Sequence, residues 1–279
     1  MERFMSVGLA PRPANEEQRA KAVVKTGLID SPNPDLFQVY CDLAKDITGF
    51  ANATFSLFDG EMQCAMALTE GGHPDPTRKV GDKGLRTKDS ICSYVLLETE
   101  PLLIPDISKD PIWKDHPHAS PSGYAGFPVI NKDNFALGTL CMFNMEAPKS
   151  LNDHQVDLVR RIANNIAHLL DVQIQQKEMT SQKILEALIQ FRKVDNSLNI
   201  DDFQTFVSVS SDLKIDMDHA KNLIDCKLCD FNDRGEVIVS PAGVKLQRDM
   251  KIETKPMKKI KMTGDDASKL IDEMFSELD

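Results

Sequence analysis

The groups in this 279-residue chain best suited to chemistry are six cysteines, at 41, 64, 92, 141, 226 and 229, and the histidines His116 and His118. Thiolates act as nucleophiles and as metal ligands, so their spacing decides which use is open to them. Cys226-x-x-Cys229 has metal-like spacing, but a tetrahedral zinc site needs two further ligands, and no second CxxC or HxxxH follows it. The other cysteines fall mostly within apolar runs, which reads as buried, reduced thiols rather than a disulfide framework. Asp230-x-Asn232-x-Arg234-Gly235 matches positions one, three and six of a calcium loop. Arg234 then occupies position five, and Pro241 stands at position twelve where a bidentate glutamate is required. No metal is expected, and the sequence carries no phosphate-cradling loop or serine nucleophile elbow.

The formal charge of −10 repels phosphate backbones over the molecule as a whole. One local stretch, residues 245–261, reverses that sign with Lys245, Arg248, Lys251, Lys255, Lys258, Lys259 and Lys261 against Asp249 and Glu253. It is the place where nucleic acid could bind, and a solvated basic face is the plainer reading. Hydrophobic residues at 41% and charged residues at 27% fit a globular chain long enough for two unequal domains. No run approaches the roughly 18 apolar residues of a membrane span, and residues 1–17 lack the apolar core of a secretory signal. The expectation is a cytoplasmic protein without membrane contact.

These residues must be positioned by the elements that the pattern predicts. A helix is expected over 14–28, opening after Pro11 and Pro13. In Ser31-Pro32-Asn33-Pro34-Asp35, Asn33 is placed to cap a second helix with Pro34 at its first position, and Gly49 to end it. Runs at 53–58 and 62–68 around Asp59-Gly60 predict a hairpin. Residues 71–88 and 105–122 read as long loops, with a short helix at 90–97 and a strand at 102–104 between them. Two further strands are expected at 124–130 and 135–143. Asn152 with Gln155 has the form of a capping box opening a helix whose apolar positions run from Val156 to Val172. This order predicts an α+β fold, a mixed or antiparallel sheet with helices on one face.

Two segments resemble the GAF family of small-molecule sensing domains, in its bacterial branch related to phytochrome sensors. The first runs from Asp89-Ser90-Ile91-Cys92-Ser93-Tyr94 through Pro101-Leu102-Leu103-Ile104-Pro105-Asp106 to Asp110-Pro111-Ile112-Trp113 and His116-Pro117. The second joins Tyr124-Ala125-Gly126-Phe127-Pro128-Val129, Leu137-Gly138-Thr139-Leu140-Cys141 and Pro148-Lys149-Ser150-Leu151. The likeness spans about residues 14–172. It implies that the two long loops roof the helix-free face of the sheet over a ligand pocket. The candidate lining residues are Phe58, Cys92, Tyr94, Trp113, Tyr124, Phe127 and Cys141.

Departures from the family's variants narrow the function. Bilin-binding relatives carry a chromophore cysteine beside a histidine after the second loop, where this chain offers His116 and His118 without a cysteine, so no covalent bilin is expected. The cyclic-nucleotide signature is longer than Asn131-Lys132-Asp133-Asn134-Phe135. Free-methionine-sulfoxide reductases are similar around Cys92 but need further cysteines in the roofing loop. Residues 93–140 contain none, and nothing basic adjoins Cys92 in sequence. The expected protein is therefore a non-catalytic signalling homodimer that senses an unidentified small molecule. The alternatives are a thiol redox enzyme centred on Cys92 and a structural dimerisation protein with a collapsed pocket.

The expected division is a sensory domain at 1–173, a helical connector at 174–183, a helical domain at 184–262 and an amphipathic helix at 263–279 that could bind a protein partner. Helices at 184–194, 202–213 and 216–229, a hairpin across Asn232-Asp233-Arg234-Gly235 and then Ser240-Pro241-Ala242-Gly243 resemble a winged helix. Asp216, Asp218 and Asp225 against Lys221 and Lys227 suit the third of these helices to protein contact better than to a DNA groove.

Overall fold

The computed structural model describes residues 9–30, 32–70, 77–116, 119–145 and 147–251. The expected helix at 263–279, most of the basic stretch and His118 lie outside them. The chain divides into two compact units, Met1–Glu178 and Met179–Asp279.

In the first unit, α1 (Glu16–Thr26) and α2 (Gln38–Thr48) each end on a glycine in the left-handed region, Gly27 and Gly49, both at φ 66°. Gly49 thus ends the second helix where expected. The start of that helix differs. Pro34–Leu36 forms a 3-10 turn, and Phe37, not Asn33, takes the cap position. The turn drives Phe37 into the core, its ring 4.9 Å from that of Phe55, and that packing sets the entry angle.

The strands β1 (Asn52–Phe58), β2 (Met62–Leu68), β3 (Lys83–Leu85), β4 (Leu102–Ile104), β5 (Gly123–Ile130) and β6 (Ala136–Asn144) form one sheet in the order β3-β2-β1-β6-β5-β4, antiparallel throughout. β3 lies inside the stretch expected to be loop. Lys83-Gly84-Leu85 has no strand composition, and its pairing to β2 is imposed by that neighbour. A short helix α3 (Ile91–Val95) precedes β4.

Side chains alternate across the sheet. Ala53, Phe55 and Leu57 of β1, Ala125, Phe127 and Val129 of β5, and Leu140 and Met142 of β6 meet α1, α2 and the first half of α4 (Asp153–Arg192) in the main core. From α4, Val159, Ile162, Ala163, Ile166, Ala167 and Leu170 enter that core. Asn152 and Gln155 form the reciprocal capping box, each side chain bonding the other's backbone N–H at 2.9 and 3.1 Å. The opposite face of the sheet is covered by α3 and by Ile107, Trp113 and Ala119.

A buried polar cluster pins α1 to the β1–β2 hairpin. Glu16 accepts from Arg19 Nε and Nη2 at 2.9 and 2.8 Å and also from Arg86 Nη1. The two guanidinium groups donate in addition to the carbonyls of Phe58, Asp59 and Gly60.

In the second unit, the C-terminal end of α4 gives Ala187 and Phe191 to a core with α5 (Ile200–Ser210), α6 (Met217–Asp225), β7 (Cys229–Phe231), β8 (Val237–Val239) and α7 (Pro241–Asp249). The helix expected at 184–194 is thus the end of α4. The helix expected at 216–229 stops at Asp225, because Leu228 and Cys229 turn into the core and Cys229 begins β7. Asn199 and Asp202 box the start of α5, and Ser240 caps α7 ahead of Pro241.

Candidate functional site

Small and polar residues of the sheet create room for a site on its loop-covered face. Tyr124 and Gly126 of β5 stand opposite Phe143 and Cys141 of β6. A Cβ on Gly126 would collide with Val95 of α3 and with the Tyr124 hydroxyl. Glycine there lets α3 lie directly on the strands, and Cys92, one turn before Val95, then comes down onto Cys141. The Tyr124 hydroxyl donates to Cys92 Sγ at 3.3 Å and lies 3.0 Å from Cys141 Sγ. Cys141 in turn bonds Thr139 Oγ1 at 3.1 Å.

Tyr94 and Trp113 close over this group edge to face, with ring centroids 4.7 Å apart, and His116 also meets Trp113 edge to face at 5.9 Å. His116 Nε2 lies 2.8 Å from the carbonyl of Asp89, which ties the second loop to the start of α3. Five of the seven expected lining residues, Cys92, Tyr94, Trp113, Tyr124 and Cys141, thus come together. Phe58 is on the same face but belongs to a neighbouring cluster with Leu96 and Ala136, touching the group through Cys92. Phe127 is the exception. It lies three positions from Tyr124, so the pleat turns it to the other face and into the helix-side core.

The electrostatics of the thiols separate one from the rest. Burial pushes Cys41 up to about 12 and Cys229 up to about 11, and it raises Cys64, Cys226 and Cys141 as well. Cys92 moves the other way, from the ordinary thiol value of 9.0 to about 7. The hydrogen bond from the Cys141 thiol contributes most. Burial opposes it, and the Tyr124 hydroxyl and the positive charge of Arg78 add to it. The pair therefore loses its first proton near neutrality and its second well above the usual thiol range. No basic neighbour in sequence is needed, because the activating partners arrive from β5, β6 and the loop before β3.

Other groups at this face carried no signal in the sequence. Ser90 Oγ donates to Gln63 Oε1 at 3.0 Å, and Gln63 Nε2 donates to Ser56 Oγ at 3.1 Å, a polar chain from α3 across two strands. Elsewhere around α3 and the loop before β3, the Ser93 hydroxyl and the Nε and Nη2 of Arg78, whose charge acts on both Cys92 and Cys64, are buried without a hydrogen-bond partner among the described residues. A shallow groove along α1, lined by Glu16, Ala20, Val24 and Gly60, shares no residue with the site. Among the described residues no three His, Cys, Asp or Glu side chains cluster as a metal site would require, and no helix is long and apolar enough to cross a membrane.

The GAF domain profile matches residues 33–171. A cyclic di-GMP phosphodiesterase of Pseudomonas aeruginosa is 24% identical over 157 residues, covering 55% of this chain and 25% of that protein. The chain thus spans about a quarter of that relative's length. Among solved structures, the second GAF domain of DevS from Mycobacterium smegmatis shares 13% identity over 53% of this chain and 99% of its own, with a TM-score of 0.41. A type II free methionine-R-sulfoxide reductase from Thermoplasma acidophilum shares 15% over 52% and 94%, with a TM-score of 0.38. Through residues 33–171 this chain belongs to the GAF domain family, as a sensory domain.

Proposed function

We propose that the protein is a cytoplasmic, non-catalytic regulator in which the GAF domain binds a small molecule at the loop-covered face and passes that state through α4 to the second unit. The observation that carries this reading is the continuity of α4. It runs unbroken from Asp153 to Arg192, and its side chains enter the core of each unit. A hydrogen bond gives the route from the face to the helix. Asp171 of α4 accepts from the backbone N–H of Lys132 at 3.0 Å, in the turn joining the two strands that carry Tyr124 and Cys141.

The unpaired buried nitrogens of Arg78 and the unpaired Ser93 hydroxyl favour a ligand with acceptor oxygens, such as a carboxylate or phosphate. In a chain of net charge −10 an anion needs such a local donor. The second unit serves as a winged-helix-like interaction module. Its acid-rich α6 region, with Asp216, Asp218 and Asp225, favours a protein partner, which residues 263–279 would also contact. Met179, Ile184, Leu185 and Ile189 are exposed along α4 and suit a homodimer. The relative's phosphodiesterase activity is not carried over, since only a quarter of that protein is matched.

Native mass spectrometry of freshly purified protein tests the proposal. A bound small molecule that is lost in Arg78→Ala, with circular dichroism unchanged, is the expected outcome. A folded protein carrying no extra mass under any preparation defeats it.

A further inference from the structure

We infer that Cys92 and Cys141 are a two-electron redox pair, a modification site at which a small hydroperoxide closes a disulfide between α3 and β6. Both sulfurs lie against one oxygen, the Tyr124 hydroxyl, at 3.3 and 3.0 Å, and both pack in one cluster with Trp113 and Ile91. They come from separate elements that Gly126 allows to touch. Their environments divide the labour. Cys92 is partly exposed and its thiol is lowered to about 7, the direction that favours an attacking thiolate. Cys141 is buried and held protonated, which suits the resolving partner. Cys226 and Cys229 have the better-known spacing, but both thiols are shifted upward and neither has an activating partner.

The chemistry balances within the site and its oxidant. The Cys92 thiolate attacks the terminal oxygen of the hydroperoxide, the O–O bond breaks, and the departing alkoxide takes a proton to leave as alcohol. Cys92 is then a sulfenic acid. The Cys141 sulfur attacks it, the S–S bond forms, the S–O bond breaks, and the hydroxide leaves as water with the proton of Cys141. The two thiols lose two electrons and two protons, and the hydroperoxide is reduced to alcohol and water.

Closure brings the sulfurs to about 2.05 Å and takes both partners from the Tyr124 hydroxyl, which is buried and must re-pair. The event is therefore felt in β5, at the strand pair that leads to the Asp171 bond on α4. This inference is independent of what small molecule occupies the face, so either can fail alone.

Reduced full-length protein, freed of reductant and treated with equimolar hydrogen peroxide, provides the test by intact mass and non-reducing peptide mapping. The expected product is lighter by two hydrogens, contains a Cys92–Cys141 cross-linked peptide, has lost two of the six free thiols and reverts with dithiothreitol. In Cys141→Ser the sulfenic acid on Cys92 should persist and be captured by dimedone. Mapping of the wild type alone decides the matter if that variant does not fold. Unchanged mass, oxygen added at Cys92 without a cross-link in the wild type, or a cross-link confined to Cys226 and Cys229 would each overturn the assignment.

Discussion

Replacing Glu16 with alanine removes the carboxylate that joins α1 to two buried arginines. The side chains of Arg19 and Arg86 are 0% exposed and that of Glu16 is 19% exposed, so the cluster sits where charge is poorly screened. Removing one partner of a buried pair costs about 3–5 kcal/mol, because the remaining charge stays desolvated. Here the carbonyls of Phe58, Asp59 and Gly60 still accept from the guanidinium groups, which places the loss at the lower end, near 3 kcal/mol. For a unit of this size that is a fall of roughly 6–12 °C in melting temperature. Burial pushes the Glu16 carboxyl up, but the bonds from Arg19 and Arg86 outweigh it and hold the group below its ordinary value of 4.5. Its contribution is therefore complete above that pH and is lost as the pH falls through the lower folded-state value. Differential scanning calorimetry across pH should show the wild type losing this increment in acid while Glu16→Ala lacks it at every pH. A shift under about 1 °C at neutral pH would refute the claim that the cluster fastens α1.

The remaining predictions concern the site and the sheet. Alkylation of Cys92 by iodoacetamide should follow a titration centred near pH 7, whereas a midpoint near 9 would remove the activating role of Cys141 and Tyr124. Tyr124→Phe should keep the fold at a cost of about 1 kcal/mol and raise that midpoint. Tyr124→Glu buries an unpaired charge and should cost several kcal/mol, on the order of 3, by urea titration. A Cβ at Gly138 would press into the Ser56 carbonyl across the β1–β6 ladder, so Gly138→Ala should destabilise by about 1–3 kcal/mol; a neutral effect would contradict the pairing of Leu57 with Gly138. Light scattering should report a dimer, and a concentration-independent monomer would rule out the pairing of α4.

Features with a local cause were legible in the sequence. The Asn152–Gln155 box, Gly49 at the end of α2 and the Asp59-Gly60 turn each arise from a few adjacent residues, and each is present. β3 was not legible, because its strand character comes from β2 alone. Phe127 was misplaced although the pleat could have told: residues of opposite parity on β5 cannot share a face with Tyr124. Cys92 and Cys141 were both candidates, yet their meeting depends on α3 lying across β6. The burial of Arg19 and Arg86 has the same origin, since composition marks arginine as a surface residue, and a shared carboxylate and the carbonyls of Phe58, Asp59 and Gly60 meet them only in the fold.

Transmission of the state of the loop-covered face to the second unit through α4 is the central claim, and hydrogen exchange along that helix tests it most directly. Between the protein as purified and Arg78→Ala, protection should change both at the β5–β6 strands and in residues 174–192. Changes confined to residues 91–143, with α4 exchanging identically in the two proteins, would contradict it.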